Sequence, residues 1–297
     1  MKIIARMLYL LLVLWVLSTV ACMNSSKSKQ DSDLLEDMQY PVLLVDGLAR
    51  RGDLEALATF DDELHHLREL GAQAYMNNRD AFGSIETNAE LLAADVDRVL
   101  AETNADRLHI IAHSKGGLDA RYLITAMGYA DKIATLTTIA TPHRGTAVAD
   151  YIVAHMGDAE DVLAQVVDWV AGLLGDEVPD SEQALHQLTR ESMQEFNQQV
   201  VDQPQVRYIS YAARVDASYP HPVWARMAQQ LYDEEGSNDG LVSVYSARWG
   251  EFAGIVNELY DHEQVGHRDV VGMNTIWNNM GFPYLRFITD VVLNLEE

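Results

Sequence analysis

Cysteine is almost missing from this sequence: Cys22 stands alone among 297 residues. One thiol excludes an intrachain disulfide, so the fold holds without one in whatever compartment the chain reaches. Basic residues are scarce too, 21 Lys and Arg against 45 Asp and Glu, for a formal net charge of −24. Such a surface repels phosphate backbones, which argues against nucleic acid as a partner and reads as a solubility feature. No stretch repeats along the chain, which sets aside solenoid and array architectures. What remains is 48% hydrophobic residues, enough for a sizeable core in one large α/β domain or two modest ones.

The N-terminus reads MKIIARMLYLLLVLWVLSTVAC. Lys2 and Arg6 precede an apolar stretch of 14 residues, 7–20, short of the roughly 20 that span a bilayer and suited to a signal-peptide core. Thr-Val-Ala-Cys at its end resembles the lipobox of bacterial lipoproteins, with Thr19 where Leu is usual. The reading is a signal peptide over 1–21, acylation of Cys22, and a polar, flexible tether over 22–39 (MNSSKSKQDSD and onward). It implies an exported bacterial protein anchored at the outer membrane or a periplasmic face; a plain signal peptide with a chance cysteine, and so a secreted protein, is the alternative.

From residue 40 short apolar runs alternate with helical patterns. Strands are expected at 41–46, 71–76, 107–112, 132–140, 206–213 and 252–259, and helices at 61–71 and 86–102. The spacing predicts an α/β fold with a mainly parallel sheet covered on both faces. Residues 150–203 interrupt the rhythm with helical patterns alone, among them DVLAQVVDWVAGLLG (161–175). An insert between consecutive sheet strands suits a helical cap over an apolar site, and the same apolar stripe suits an ordinary sheet-packing helix.

In IIAHSKGGLD (110–119) a serine stands between a strand and a helix. AHSKG fits the nucleophile-elbow pattern G-x-S-x-G with Ala112 at the first small position and Gly116 at the second. Such a turn lifts the Ser114 hydroxyl off the sheet and turns the N–H of Lys115 toward a developing oxyanion. A serine needs a histidine to take its proton and a carboxylate to orient that histidine, met along the chain in the order Ser, acid, His. SNDGLV (237–242) offers Asp239, and DHEQVGHRD (261–269) offers His262 and His267, between which chemistry alone does not choose. In TPHRG (141–145), Pro142 and Gly145 read as strand terminators without a chemical role.

YPVLLVDGLA, AHSKGGLDARYL, LTTIATPHRGTAVAD, ALHQLTRESMQEFN, NDGLVSVYSARWG and VGHRDVVG occur in one order over some 230 residues. From residue 40 to 297 the chain thereby resembles the bacterial lipases and esterases of the α/β-hydrolase fold. The resemblance implies Ser114 as nucleophile, Asp239 as acid, His267 as base, and the backbone N–H groups of Leu48 and Lys115 as oxyanion hole. It implies an ester or lipid substrate and no cofactor for the chemistry. It also raises a structural calcium ion near His267, held by Asp269 and a second carboxylate for which Asp216 stands nearest. Asp46 replaces the family's usual His before Gly47, and its charge would disfavour an oxyanion unless Arg50 or Arg51 pairs with it. That departure motivates one alternative, a non-catalytic scaffold used for binding; another is a triad hydrolase of polyesters or thioesters, since a triad does not specify its leaving group.

Overall fold

A computed structural model describes residues 30–47, 60–78, 83–154, 179–216, 218–219, 222–272 and 281–296. In chain order it contains α1 (residues 30–36), β1 (Val42–Val45), α2 (Asp61–Glu69), β2 (Ala74–Met76), α3 (Ile85–Thr103), β3 (Leu108–His113) and α4 (Gly116–Thr125). Then come β4 (Ile133–Ile139), α5 (Ala147–Ala154), α6 (Pro179–Gln187), α7 (Arg190–Gln199), β5 (Arg207–Ala212) and α8 (Pro222–Glu235). The chain closes with α9 (Val244–Ala247), β6 (Glu251–Ile255), α10 (Val256–Leu259) and α11 (Tyr284–Leu293).

The six strands form one sheet in the order β2-β1-β3-β4-β5-β6, every neighbouring pair parallel. Alternation along each strand sends side chains to opposite faces. Val42, Leu44, Ile111 and Ile139 enter one core with α2 and α11, while Leu43, Val45, Ile110 and Leu136 enter the other with α3 and α4. Both faces are therefore buried, which is why the central strands read as continuous apolar runs. Helix α3 begins where the Ser84 hydroxyl accepts from Thr87 N–H and stops at Asn104, whose φ of 55° breaks the helical path. Its Ile85, Ala89, Leu92 and Val96 are all buried, following the three- and four-residue spacing of the sequence.

Two expectations need correction. The tether of 22–39 does not run to residue 39, because residues 30–36 are helical and fixed to the domain. Leu35 is buried in the core, Ser32 Oγ donates to Leu70 O, and Asp31 pairs with Arg286 at 2.5 Å. The strand of 252–259 ends at Ile255. There Val256 turns into the core, and Asn257 brackets the Arg214 backbone, accepting from its N–H and donating to its carbonyl at 2.9 Å each. The signal segment with Cys22, the loop with Leu48, Arg50 and Arg51, and the apolar stripe 161–175 lie outside the described residues. Of the expected cap, α5, α6 and α7 are described, and they pack around Leu118, Ile152, Leu185 and Met193.

Candidate active site

The turn between β3 and α4 carries Ser114 at the carboxyl end of the sheet, the edge where open α/β sheets place their ligands. Ser114 has φ 53°, the left-handed region that a side chain other than glycine seldom occupies. Its N–H donates to Ile139 O at 2.9 Å, and its carbonyl accepts from Gly117 N–H at 3.1 Å and from the Thr141 hydroxyl at 2.7 Å. These bonds hold the strained residue in place from both sides. Two glycines make the corner possible. A Cβ on Gly116 would lie 2.3 Å from Asp46 O, and one on Gly47 would lie 2.7 Å from Ser114 Cβ.

His267 Nε2 lies 3.0 Å from Ser114 Oγ, and His267 Nδ1 lies 2.8 Å from Asp239 Oδ2. A carboxylate can only accept, so Nδ1 carries the proton and Nε2 is left to accept from the serine. Asp239 is buried yet fully bonded: its Oδ1 accepts from Leu241 N–H at 2.9 Å and Val242 N–H at 2.8 Å. Those two backbone donors satisfy Oδ1 without competing for the oxygen that faces the imidazole. Asp239 lies in the turn that follows helix α8, with β5 further upstream. Asn238, donating to Ala228 O and Gly236 O and accepting from Gly240 N–H, fixes that turn.

The second histidine of this loop goes elsewhere. His262 Nδ1 bonds Gln264 O at 3.0 Å, and its ring meets the edge of Phe282 at 5.8 Å. The structure thus brings His267, not His262, to Ser114. A third histidine went unrecognised in the sequence. His113 Nε2 donates to His267 O at 2.9 Å, its ring lies 4.8 Å from the His267 ring, and Phe60 caps its other side at 6.4 Å. The only sequence signal was its place beside the serine.

Lys115 presents its backbone at the start of α4, while its side chain turns inward to a buried ion pair with Asp119 at 2.7 Å. Burial pushes Asp119 up to about 6, a rise that Lys115 and Asn88 partly oppose. Among the described residues no backbone acceptor is recorded for the Lys115 N–H. Asp46 is buried beside the elbow, its N–H donating to Asn77 Oδ1 at 3.1 Å. Near it, Glu63 is pushed up to about 8, first by burial and then by Asp62, Asp46 and Asp61, with its own backbone N–H opposing. Glu63 is therefore a neutral acid at neutral pH.

A stability test follows from that shift. The unfolded chain ionises Glu63 near 4.5 and the folded chain only near 8, so folding loses stability as pH rises between those values. The loss is at most about 5 kcal/mol. Glu63→Gln should gain melting temperature over the parent progressively from pH 5 to pH 8 and no further above it. A pH-independent difference in Tm would refute the assignment.

The TPHRG segment braces the adjacent wall. His143 is wholly buried, bonds the Thr138 hydroxyl at 3.0 Å and stacks on Trp249 at 5.1 Å. The Arg121 guanidinium of α4 lies 3.7 Å from the centroid of that indole and donates to Asn197 Oδ1 and Val200 O at 2.9 Å each.

Each of the two carboxylates proposed for calcium has one oxygen bonded within the protein. Asp269 Oδ2 already accepts from Tyr219 hydroxyl at 2.7 Å and Gly266 N–H at 2.9 Å. Asp216 Oδ1 accepts from both the N–H and the hydroxyl of Ser218. Among the described residues no group of three or more His, Cys, Asp or Glu side chains could hold a metal ion.

A family model described as palmitoyl protein thioesterase matches residues 41–216, from β1 through β5. Triacylglycerol lipase 2 of Saccharomyces cerevisiae is 33% identical over 206 residues, 67% of this chain and 59% of that protein, so the chain spans under two thirds of this relative. A triacylglycerol lipase of Vibrio cholerae is 28% identical over 260 residues, covering 78% of this chain and 80% of the lipase. The solved structure of the metagenomic carboxyl esterase MGS0156 superposes with a TM-score of 0.68 at 17% identity, over 88% of this chain and 77% of that one, and shares its fold. The chain belongs to the palmitoyl protein thioesterase family, among the lipases and esterases of the α/β-hydrolase fold.

Proposed function

We propose that the protein is a serine hydrolase of carboxylic esters, with acyl esters or lipids as substrates. The observation that carries this reading is the hydrogen-bonded row Ser114–His267–Asp239 at the elbow. Ser114 Oγ attacks the ester carbonyl as His267 Nε2 takes its proton. Asp239 holds the imidazole in the right tautomer and stabilises the imidazolium. The oxyanion is met by the N–H of Lys115, and the family resemblance implies that of Leu48 as the second donor. Collapse of the tetrahedral intermediate returns the proton to the departing alcohol and leaves an acyl-Ser114, which water cleaves by the same steps.

A thioester substrate is the second reading, favoured by the description of the matching family model. The acyl-enzyme is common to both, and only the leaving group differs. Cys22, acylated after signal cleavage, would hold the domain at a membrane where such acyl groups are found.

A fluorophosphonate probe followed by peptide mapping tests the common step. Stoichiometric modification of Ser114 is expected, and an unlabelled folded protein would leave the non-catalytic scaffold instead. A panel of p-nitrophenyl acyl esters set against acyl thioesters of equal chain length then separates the two readings.

A further inference from the structure

The loop that delivers His267 is fastened to the loop after β5 by a ladder of direct hydrogen bonds. Val265 N–H donates to Arg214 O at 3.0 Å. One step on, Asp216 N–H donates to Gln264 Oε1 at 3.0 Å, and Gln264 Nε2 donates to Ser218 Oγ at 3.1 Å. The last rung reaches the histidine itself. Tyr219 hydroxyl donates to Asp269 Oδ2, the same oxygen that accepts Gly266 N–H, while Asp269 N–H returns to Gly266 O at 3.0 Å. Gly266 and Asp269 stand one residue before and two residues after His267. A Cβ on Gly266 would lie 2.8 Å from the Tyr219 oxygen, so the phenol rests directly on that peptide.

We infer that Tyr219 is a positioning residue for His267, acting through Asp269, and that this clasp does the work that would otherwise fall to a bridging cation. Asp269 is buried, so one carboxylate oxygen with two good donors is satisfied without a metal. The clasp fixes Gly266 and the peptide that precedes His267, and His113, bonded to His267 O, fixes the peptide that follows it. Misplacing a reacting group by about 1 Å costs on the order of 10²-fold in rate, so loss of one clasp should be visible in turnover.

The inference rests on the esterase reading for its kinetic arm and has a second arm that does not. Tyr219→Phe removes only the hydroxyl. For a short p-nitrophenyl ester its kcat should fall roughly ten- to a hundredfold with KM little changed. Ser218→Ala, which loosens the same two loops without touching Asp269, should keep the parent kcat. Treatment with EDTA, and later addition of calcium, should leave the parent rate unchanged. The independent arm is the downfield proton resonance of His267 Nδ1–H bonded to Asp239, which needs no substrate. It should persist in EDTA in the parent and in Ser218→Ala, and broaden or vanish in Tyr219→Phe. The inference is overturned by a Tyr219→Phe kcat and resonance equal to the parent, or by equal losses in both variants. It is equally overturned if EDTA abolishes the parent's resonance and calcium restores it. A parent that shows the resonance but hydrolyses no ester would sink the esterase reading and leave the clasp standing.

Discussion

Replacing Ser114 with alanine should lower kcat on a p-nitrophenyl ester by a factor on the order of 10⁶, with KM nearly unchanged. The size follows from the covalent step. Without Oγ there is no acyl-enzyme, and His267 and the backbone donors retain only a residual 10³–10⁴-fold advantage over water. Alanine keeps the β-carbon that already sits at φ 53°, so the corner stays as it was and folding should survive. Circular dichroism and Tm should match those of the parent, which makes any rate loss chemical. A variant within tenfold of the parent rate would remove Ser114 from the mechanism.

His267→Ala should fall nearly as far, because a triad works as a unit and the nucleophile is inert without its base. His262→Ala is the informative partner, since the two residues share a loop and differ in what they touch. His262 supports its own turn at Gln264 O and packs on Phe282. Its loss should reduce Tm somewhat while kcat stays within the same order of magnitude. The reverse pattern, full activity in His267→Ala and none in His262→Ala, would mean that the hydrogen bonds drawn above describe a resting arrangement unrelated to turnover.

The four central strands were legible in the sequence because a strand buried on both faces must be apolar almost throughout, as LHIIAH shows at 108–113. Ser114 was legible for a similar reason: a left-handed corner between strand and helix tolerates only small neighbours, and Ala112 and Gly116 announce it. The choice between His262 and His267 was not, since five residues of separation in one loop carry no periodicity. The two differ in their contacts with distant chain, Arg214 on Val265 and Asp239 on His267. Tyr219 lay further out of reach, because its partner Asp269 is fifty residues away. The tether was misjudged at its end because its polar sequence hides one apolar anchor, Leu35.

The backbone at Ser114 also bears on how such a chain can change. A glycine there would relax the left-handed strain and make a sturdier, inert protein. Thermal robustness and turnover thus pull in opposite directions at a single codon. A lineage selected only for persistence would drift away from chemistry at this position first, while everything around it continued to fold.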